Sequence, residues 1–178
     1  EMLTGAIKAA ILLNTEPAFD AAAGAKGLEQ ADMVITLSPF KANLDISDVL
    51  LPVAPFTETS GTFVNAEGRV QSFHAVVKPL GETRPAWKVL RVLANLLELP
   101  GFDYESSQDV LTAAIGVETK EVPSALRSNI TKVAAKVPEN EAAEPVTASI
   151  YQLDGIVRRA TSLQLTADAR LAREGGAA

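Results

Sequence analysis

The sequence predicts an α/β fold: a small parallel sheet flanked by helices, with a β-hairpin excursion and a helical C-terminal extension. Three observations predict it. Ala6 to Leu13 is apolar almost throughout and stops at Asn14-Thr15-Glu16-Pro17, the pattern of a buried strand closed by turn residues. An Ala-rich, helix-favouring stretch from Asp20 to Gln30, despite Gly24 and Gly27, leads into a second apolar run at Met33 to Leu37. Strand, helix and strand at this spacing form a βαβ unit, which implies parallel pairing through a right-handed crossover. Beyond residue 100 strand signals are scarce and helical spacing dominates.

The remaining elements follow in order. Phe40 to Ile46 is a loop or a helical turn, and Val49 to Ala54 supplies a third strand that ends at Pro55. A loop then carries Glu58, Gly61 and Thr62. Phe63-Val64 precede the turn Asn65-Ala66-Glu67-Gly68-Arg69, after which Val70, Phe73, Ala75 and Val77 punctuate an extended run, so the segment is a hairpin with polar side chains at its tip. Ala86 to Leu97 places Val89, Leu90, Leu93, Leu96 and Leu97 on one helical face, with Pro85 at the start and Pro100-Gly101 at the stop. Ser106-x-x-Asp109 reads as a capping box ahead of Val110, Leu111, Ala114 and Ile115, and Leu126, Ile130, Val133 and Val137 keep helical spacing. Pro138 to Pro145 is acidic, lacks large apolar residues and reads as an exposed linker. Ala160 to Arg173 is a last helix. The expected organisation is an α/β domain over 1–100 and a helical extension over 101–178, with the acidic linker near 138–145.

Composition narrows the function. The chain has 178 residues, is 47% hydrophobic and carries no Cys, so it can bury a core but cannot form disulfides, thiolate zinc sites, cysteine nucleophiles or cysteine-ligated clusters. A formal net charge of −6 speaks against nucleic acid, whose binding draws on clustered Lys and Arg. No apolar run approaches the roughly 20 residues that span a bilayer. The charge is uneven, with Arg158 and Arg159 adjacent in a net-positive tail, which reads first as a solvated helix face.

Four strings carry a resemblance. Ser47-Asp48-Val49-Leu50-Leu51-Pro52, Glu58-x-x-Gly61-Thr62, Asn65-x-Glu67-x-Arg69-x-Gln71 and Pro79-x-Gly81-Glu82-x-Arg84-x-x-Trp87 resemble the signature of the molybdopterin oxidoreductase superfamily. The Glu67-Gly68-Arg69-Val70-Gln71 wording and the late string Ile150-Tyr151-x-x-Asp154-x-Ile156-Val157-Arg158-Arg159-Ala160-x-Ser162-Leu163-Gln164 are most similar to the large iron–sulfur subunit of proton-pumping NADH:quinone oxidoreductase, respiratory complex I. Residues 5 to about 99 match well and 150–166 more loosely. Such subunits run to several hundred residues, so the resemblance implies a C-terminal quarter of a longer parent. It also implies iron–sulfur clusters in the missing N-terminal part and none in this chain. Peripheral-arm subunits of complex I would be the partners, and the cytoplasmic side of a bacterial inner membrane the location.

Candidate chemistry is sparse. His74, the single imidazole, falls opposite Phe73, Ala75 and Val77 and reads as a half-exposed strand residue. No second His, no Cys and no spaced carboxylate cluster supplies a metal shell. The serines lack a nucleophile elbow, and Gly24-Ala25-Lys26-Gly27 lacks the context of a phosphate loop. No catalytic residue is expected. Glu58, Glu67, Arg69 and Arg84 are expected to form an internal Arg–carboxylate latch, since bidentate pairs would fix the loop. The alternative is a formate-dehydrogenase-like molybdopterin enzyme, in which the resemblance places Glu58, Gly61, Thr62, Asn65, Glu67, Arg69 and Gln71 near the dinucleotide cofactor. A stand-alone interaction module is a third option. Two departures favour the cofactor-free reading: Glu16-Pro17 stands where many cofactor binders have Asn-Pro, and a carboxylate there would repel a phosphate. Ala86 likewise replaces the Asp commonly found before Trp87.

Overall fold

The computed structural model describes residues 5–21, 24–116 and 149–175. The expected helix over Leu126 to Val137 and the linker at 138–145 lie outside the described residues. The predicted α/β class holds, and the chain divides into two compact units, residues 1–51 with 140–178 and residues 52–139.

In the first unit, β1 (Ala9–Leu13), β2 (Met33–Ser38) and β3 (Val49–Pro52) form a parallel sheet in the order β1-β2-β3, with Ala9 opposite Met33 and Leu13 opposite Leu37. The crossover is not the single helix the alanines suggest. It splits into a short α1 (Pro17–Asp20) and a 3-10 turn over Gly24–Leu28. Pro17 fixes the first helical position, while Gly24 and Gly27 lower the propensity that would have carried one helix through. Leu12, Leu28 and Val34 form the core under these elements, with Ala10, Ala31 and Ile46 packed against it. Asp48 staples β3 to β2, since its carboxylate accepts from the Val34 amide at 2.7 Å and its own amide donates to the Val34 carbonyl at 2.9 Å.

The C-terminal part of this unit holds α4 (Gly155–Arg159), and the expected last helix over Ala160 to Arg173 is two helices, α5 (Thr161–Gln164) and α6 (Ala167–Gly175). Asp154 caps α4 by accepting from the Ile156 and Val157 amides, as an Asx side chain does for orphan N–H groups.

In the second unit, β4 (Gly61–Val64) and β5 (Val70–Phe73) form the predicted antiparallel hairpin, with Phe63 opposite Gln71. The Asn65 side-chain oxygen accepts from the Glu67 and Arg69 amides at 3.1 and 2.8 Å, and Gly68 takes the positive φ the turn needs. Strand pairing ends at Phe73, so His74 is an exposed residue just beyond the ladder. Helix α2 (Ala86–Leu96) starts after Pro85 as expected, but its buried residue is Ala94, and Leu96 and Leu97 lie open at 77% and 61% exposure. Helix α3 (Ser107–Ile115) carries the predicted capping box: Ser106 Oγ accepts from the Asp109 amide at 3.1 Å and the Asp109 carboxylate from the Ser106 amide at 2.9 Å. It ends on Gly116 in the left-handed conformation.

Candidate functional site

In open parallel sheets, ligands bind outside the carboxyl ends of the strands. In the first unit that position is built from the segments leaving β1 and β2. Asn14 and Asn43, both at positive φ, turn the two segments, and the Asn14 amide donates to the Leu37 carbonyl at 2.9 Å. The Asn43 side-chain amide donates to the Thr15 carbonyl at 2.9 Å and reaches the Thr36 hydroxyl at 3.3 Å, and fully buried Thr36 shares a 2.7 Å bond with Ser47. This floor projects Glu16 and, one helical turn later, Asp20.

Both carboxylates are claimed by α4. Arg159 grips Glu16 with both terminal nitrogens, Nη1 at 2.8 Å and Nη2 at 3.1 Å, in the forked geometry that suits a carboxylate. Arg158 Nη1 reaches the same carboxylate at 3.3 Å, its Nη2 bonds Asp20, and its Nε donates to the Gln152 carbonyl at 2.6 Å. The Arg158 side chain is only 6% exposed and Glu16 is 15% exposed, while Asp20 and Arg159 keep 28% and 33%, so the cluster is buried at Arg158 and open to solvent at its rim. Phe19 and Phe40 lie against the two guanidiniums, 4.5 Å from Arg158 and 4.2 Å from Arg159. Gly155 completes the fit, because a Cβ there would stand 3.3 Å from Glu16 Oε1 and 3.7 Å from the Phe40 ring.

The electrostatics follow from the pairing. The hydrogen bond from Arg159 holds the Glu16 carboxyl below its usual range against the opposing effect of burial, and Arg158 adds to it. Burial pushes the Asp20 carboxyl up, but the Arg158 bond and the Glu16 amide outweigh it and the net shift is downward. Burial likewise opposes the charge on Arg158, and Asp20 and Glu16 more than restore it. Two acids and two bases are thus spent on one another.

The solvated-face reading of Arg158 and Arg159 is therefore corrected: they are the clasp that fastens the C-terminal segment to the sheet. Apolar burial adds little to this attachment, since Ile150 and Leu153 remain 71% and 60% exposed. Gln164 supports the clasp from behind, donating to the Tyr151 and Val157 carbonyls at 2.9 and 2.8 Å. Sequence reasoning singled out Glu16, Arg158 and Arg159 separately; it missed their union, and it missed Asp20, Phe19, Phe40, Gly155 and Gln164. The one signal was the fixed order of the late string, which includes Arg158, Arg159 and Gln164.

The expected latch in the second unit takes another form. Glu58 accepts from the Leu80 amide at 2.9 Å instead of a guanidinium, and Arg84 donates to the Thr83 carbonyl at 2.9 Å. Glu67 and Arg69 do pair, at 3.8 Å, but their side chains are 76% and 67% exposed, so the pair is a surface contact. The physical reason is the turn itself, which spends Asn65 on its own amides and points its charged tip into solvent. Gly61 is explained by packing: a Cβ would meet the Phe73 ring at 2.9 Å, and that ring stacks on Phe63 at 4.8 Å. Thr62 bonds Ser72 across the hairpin at 3.0 Å, and Gln71 is exposed. Among the described residues no group of His, Cys, Asp or Glu could hold a metal ion, and no helix is long and apolar enough to cross a membrane.

The phosphates of a pterin dinucleotide need hydrogen-bond donors or positive charge around them and no carboxylate facing them. At the strand ends of the first unit both guanidiniums already hold carboxylates, and Glu16 projects from the β1 end, so these residues do not fit such a group.

The α/β fold, a three-stranded parallel sheet flanked by helices with a separate hairpin, defines the class. A family model described as Molybdopterin oxidoreductase matches residues 1–96, more than half of the chain, and the chain belongs to that family. A putative formate dehydrogenase of Staphylococcus aureus is 39% identical over 77 residues, 43% of this chain and 8% of that protein. The probable oxidoreductase YjgC of Bacillus subtilis is 40% identical over 70 residues, 39% of this chain and 7% of the relative. A second S. aureus putative formate dehydrogenase is 32% identical over 84 residues, 47% and 8% respectively. The chain thus spans under a tenth of the length of these curated relatives.

Proposed function

We propose that this chain is a cofactor-free structural domain of the large iron–sulfur subunit of NADH:quinone oxidoreductase. In this reading it supports electron transfer from NADH to quinone that clusters elsewhere in the parent carry out. One observation supports the reading above others: the carboxyl ends of the strands are occupied by a clasp of the chain's own Glu16, Asp20, Arg158 and Arg159. The clasp uses the same late string whose wording resembles the complex I subunit. Peripheral-arm subunits would be the partners, on the cytoplasmic side of a bacterial inner membrane.

The names of the relatives favour a second reading, a piece of a formate-dehydrogenase-like molybdopterin enzyme. Glu58, Gly61, Thr62, Asn65, Glu67, Arg69 and Gln71 would then lie near the cofactor. Purification of the full-length parent decides between the two. The scaffold reading expects iron and NADH-dependent quinone reduction in its complex, without molybdenum, tungsten or fluorescent oxidised pterin. Stoichiometric molybdenum or tungsten with releasable pterin would overturn it.

A further inference from the structure

Strand pairing fixes which side chains share a face of the hairpin. With Gly61 opposite Phe73 and Phe63 opposite Gln71, Phe63 and Phe73 lie on one side of the ladder and stack at 4.8 Å, while Thr62 and Ser72 take the other. Phe56, in the 3-10 turn before β4, extends the stack, its ring edge-on to Phe63 at 6.1 Å. The segment after β5 returns to that same turn. The Val76 and Val77 amides donate to the Thr57 carbonyl at 2.9 and 3.3 Å, and the Leu80 amide donates to the Glu58 carboxylate at 2.9 Å. Phe56, Phe63, Val76, Val77 and Leu80 are thus gathered around one turn, and each is between 48% and 81% exposed.

A phenylalanine buries about 150–250 Å² and an aliphatic side chain roughly half as much, so these exposures leave on the order of 400 Å² of apolar surface open. A two-stranded hairpin is marginal unless its apolar face is packed, and an open apolar patch of this size marks an interaction site. Two copies presenting the same face would together bury about 800 Å² of apolar area. At the apolar share of a homodimer interface, about 65%, the whole contact comes to about 1,200 Å², the lower bound of a specific, stable interface.

Charge permits this pairing. The chain has a net charge of −6, yet the charged residues that flank the apolar ones along the chain, Glu67, Arg69, Lys78 and Glu82, sum to zero, and Glu58 is engaged by the Leu80 amide. A strongly charged partner would find no complementary field here, and a second copy needs none. We propose that the chain forms a two-fold dimer through this face, each copy seating Phe56, Phe63, Val76, Val77 and Leu80 on the same residues of the other. The contact lies wholly within the second unit, and the inference is independent of the clasp and of the proposed electron-transfer role.

Sedimentation equilibrium from about 1 to 300 μM tests it: the mass should rise from 18.7 kDa toward twice that value with a micromolar midpoint, and added salt should not weaken the association. Val76→Asp with Leu80→Asp puts charge at two open positions outside the ring stack. This variant should weaken dimerisation at least about tenfold, with the far-UV spectrum and melting curve of the unsubstituted chain. Because the chain has no Cys, Val76→Cys supplies a single thiol, and a short bismaleimide should link two copies there but not at Ile150→Cys, a similarly open position in the first unit. A mass that stays at 18.7 kDa throughout, an unchanged dissociation constant in the folded double variant, or equal linking at the two thiol positions would overturn the proposal. So would a Val76→Cys link, in the full-length parent, to a distant segment of the same polypeptide or to another subunit, which would assign the face to that partner instead.

Discussion

Arg158→Ala should destabilise the first unit far more than an ordinary arginine substitution. The side chain is 6% exposed, joins Glu16 and Asp20, donates to the Gln152 carbonyl and lies over Phe19. Its removal leaves Glu16 still gripped by Arg159, while Asp20 keeps only the Glu16 amide, at 2.7 Å. Breaking a fully buried pair costs about 3–5 kcal/mol. Asp20 is 28% exposed and can draw water onto its carboxylate, so the expected loss falls below that range, about 1.5–3 kcal/mol, the worth of hydrogen bonds to a charged group. At about 2–4 °C per kcal/mol for a chain of this size, the melting midpoint should fall by about 3–12 °C. Hydrogen exchange at β1 and β2 amides would show that the loss lies in this unit, and an Arg158→Ala/Asp20→Asn double-mutant cycle would isolate the pair. A midpoint within about 1 °C of the parent chain, with exchange unchanged, would refute the clasp.

The remaining expectations concern charge. Arg69→Ala should change stability by only about 0–1 kcal/mol in chemical unfolding, because its partner Glu67 and Arg69 itself face solvent; a larger loss would restore the internal latch. Glu16 and Asp20 have folded-state pKa values below their ordinary ones, so the stability they confer is present at neutral pH and is lost as pH falls below about 4, through the folded values. Melting curves between pH 6 and pH 3 should therefore decline, and Arg158→Ala should flatten that decline.

The fold was legible where periodicity and punctuation agreed. Apolar runs marked all three strands, Asn65 and Gly68 marked the hairpin turn, and Ser106 with Asp109 marked the start of α3, because each of these signals acts over a few residues. The crossover was misread because alanine content outweighed Gly24 and Gly27 in the expectation, whereas the backbone broke there into α1 and a 3-10 turn. The stretch from Ala160 to Arg173 was misread as one helix because local spacing does not register the break after Gln164 that separates α5 from α6. The clasp was the least legible feature. Glu16 and Arg159 stand 143 positions apart, and no local pattern reports so distant a partner.

The clasp also explains why its members must be read together. A carboxylate projecting from the end of β1 would be costly to bury alone, and a neighbouring pair of guanidiniums would be costly for the same reason. Each removes the other's penalty: Glu16 and Asp20 hold the charge on Arg158 despite its burial, and the arginines hold both carboxyls in their ionised form. Substituting Glu16 alone by Asn, the residue that many cofactor binders carry there, would not recreate an empty crevice. It would leave α4 at the strand ends with Gly155 still against Phe40 and Arg158 still bonded to Asp20 and Gln152. Opening the crevice requires releasing the whole segment. The departure at position 16 and the late Arg158-Arg159 pair are therefore one structural decision written at two places in the chain, and it is the coupling between them, more than either residue, that supports a domain built to hold its shape.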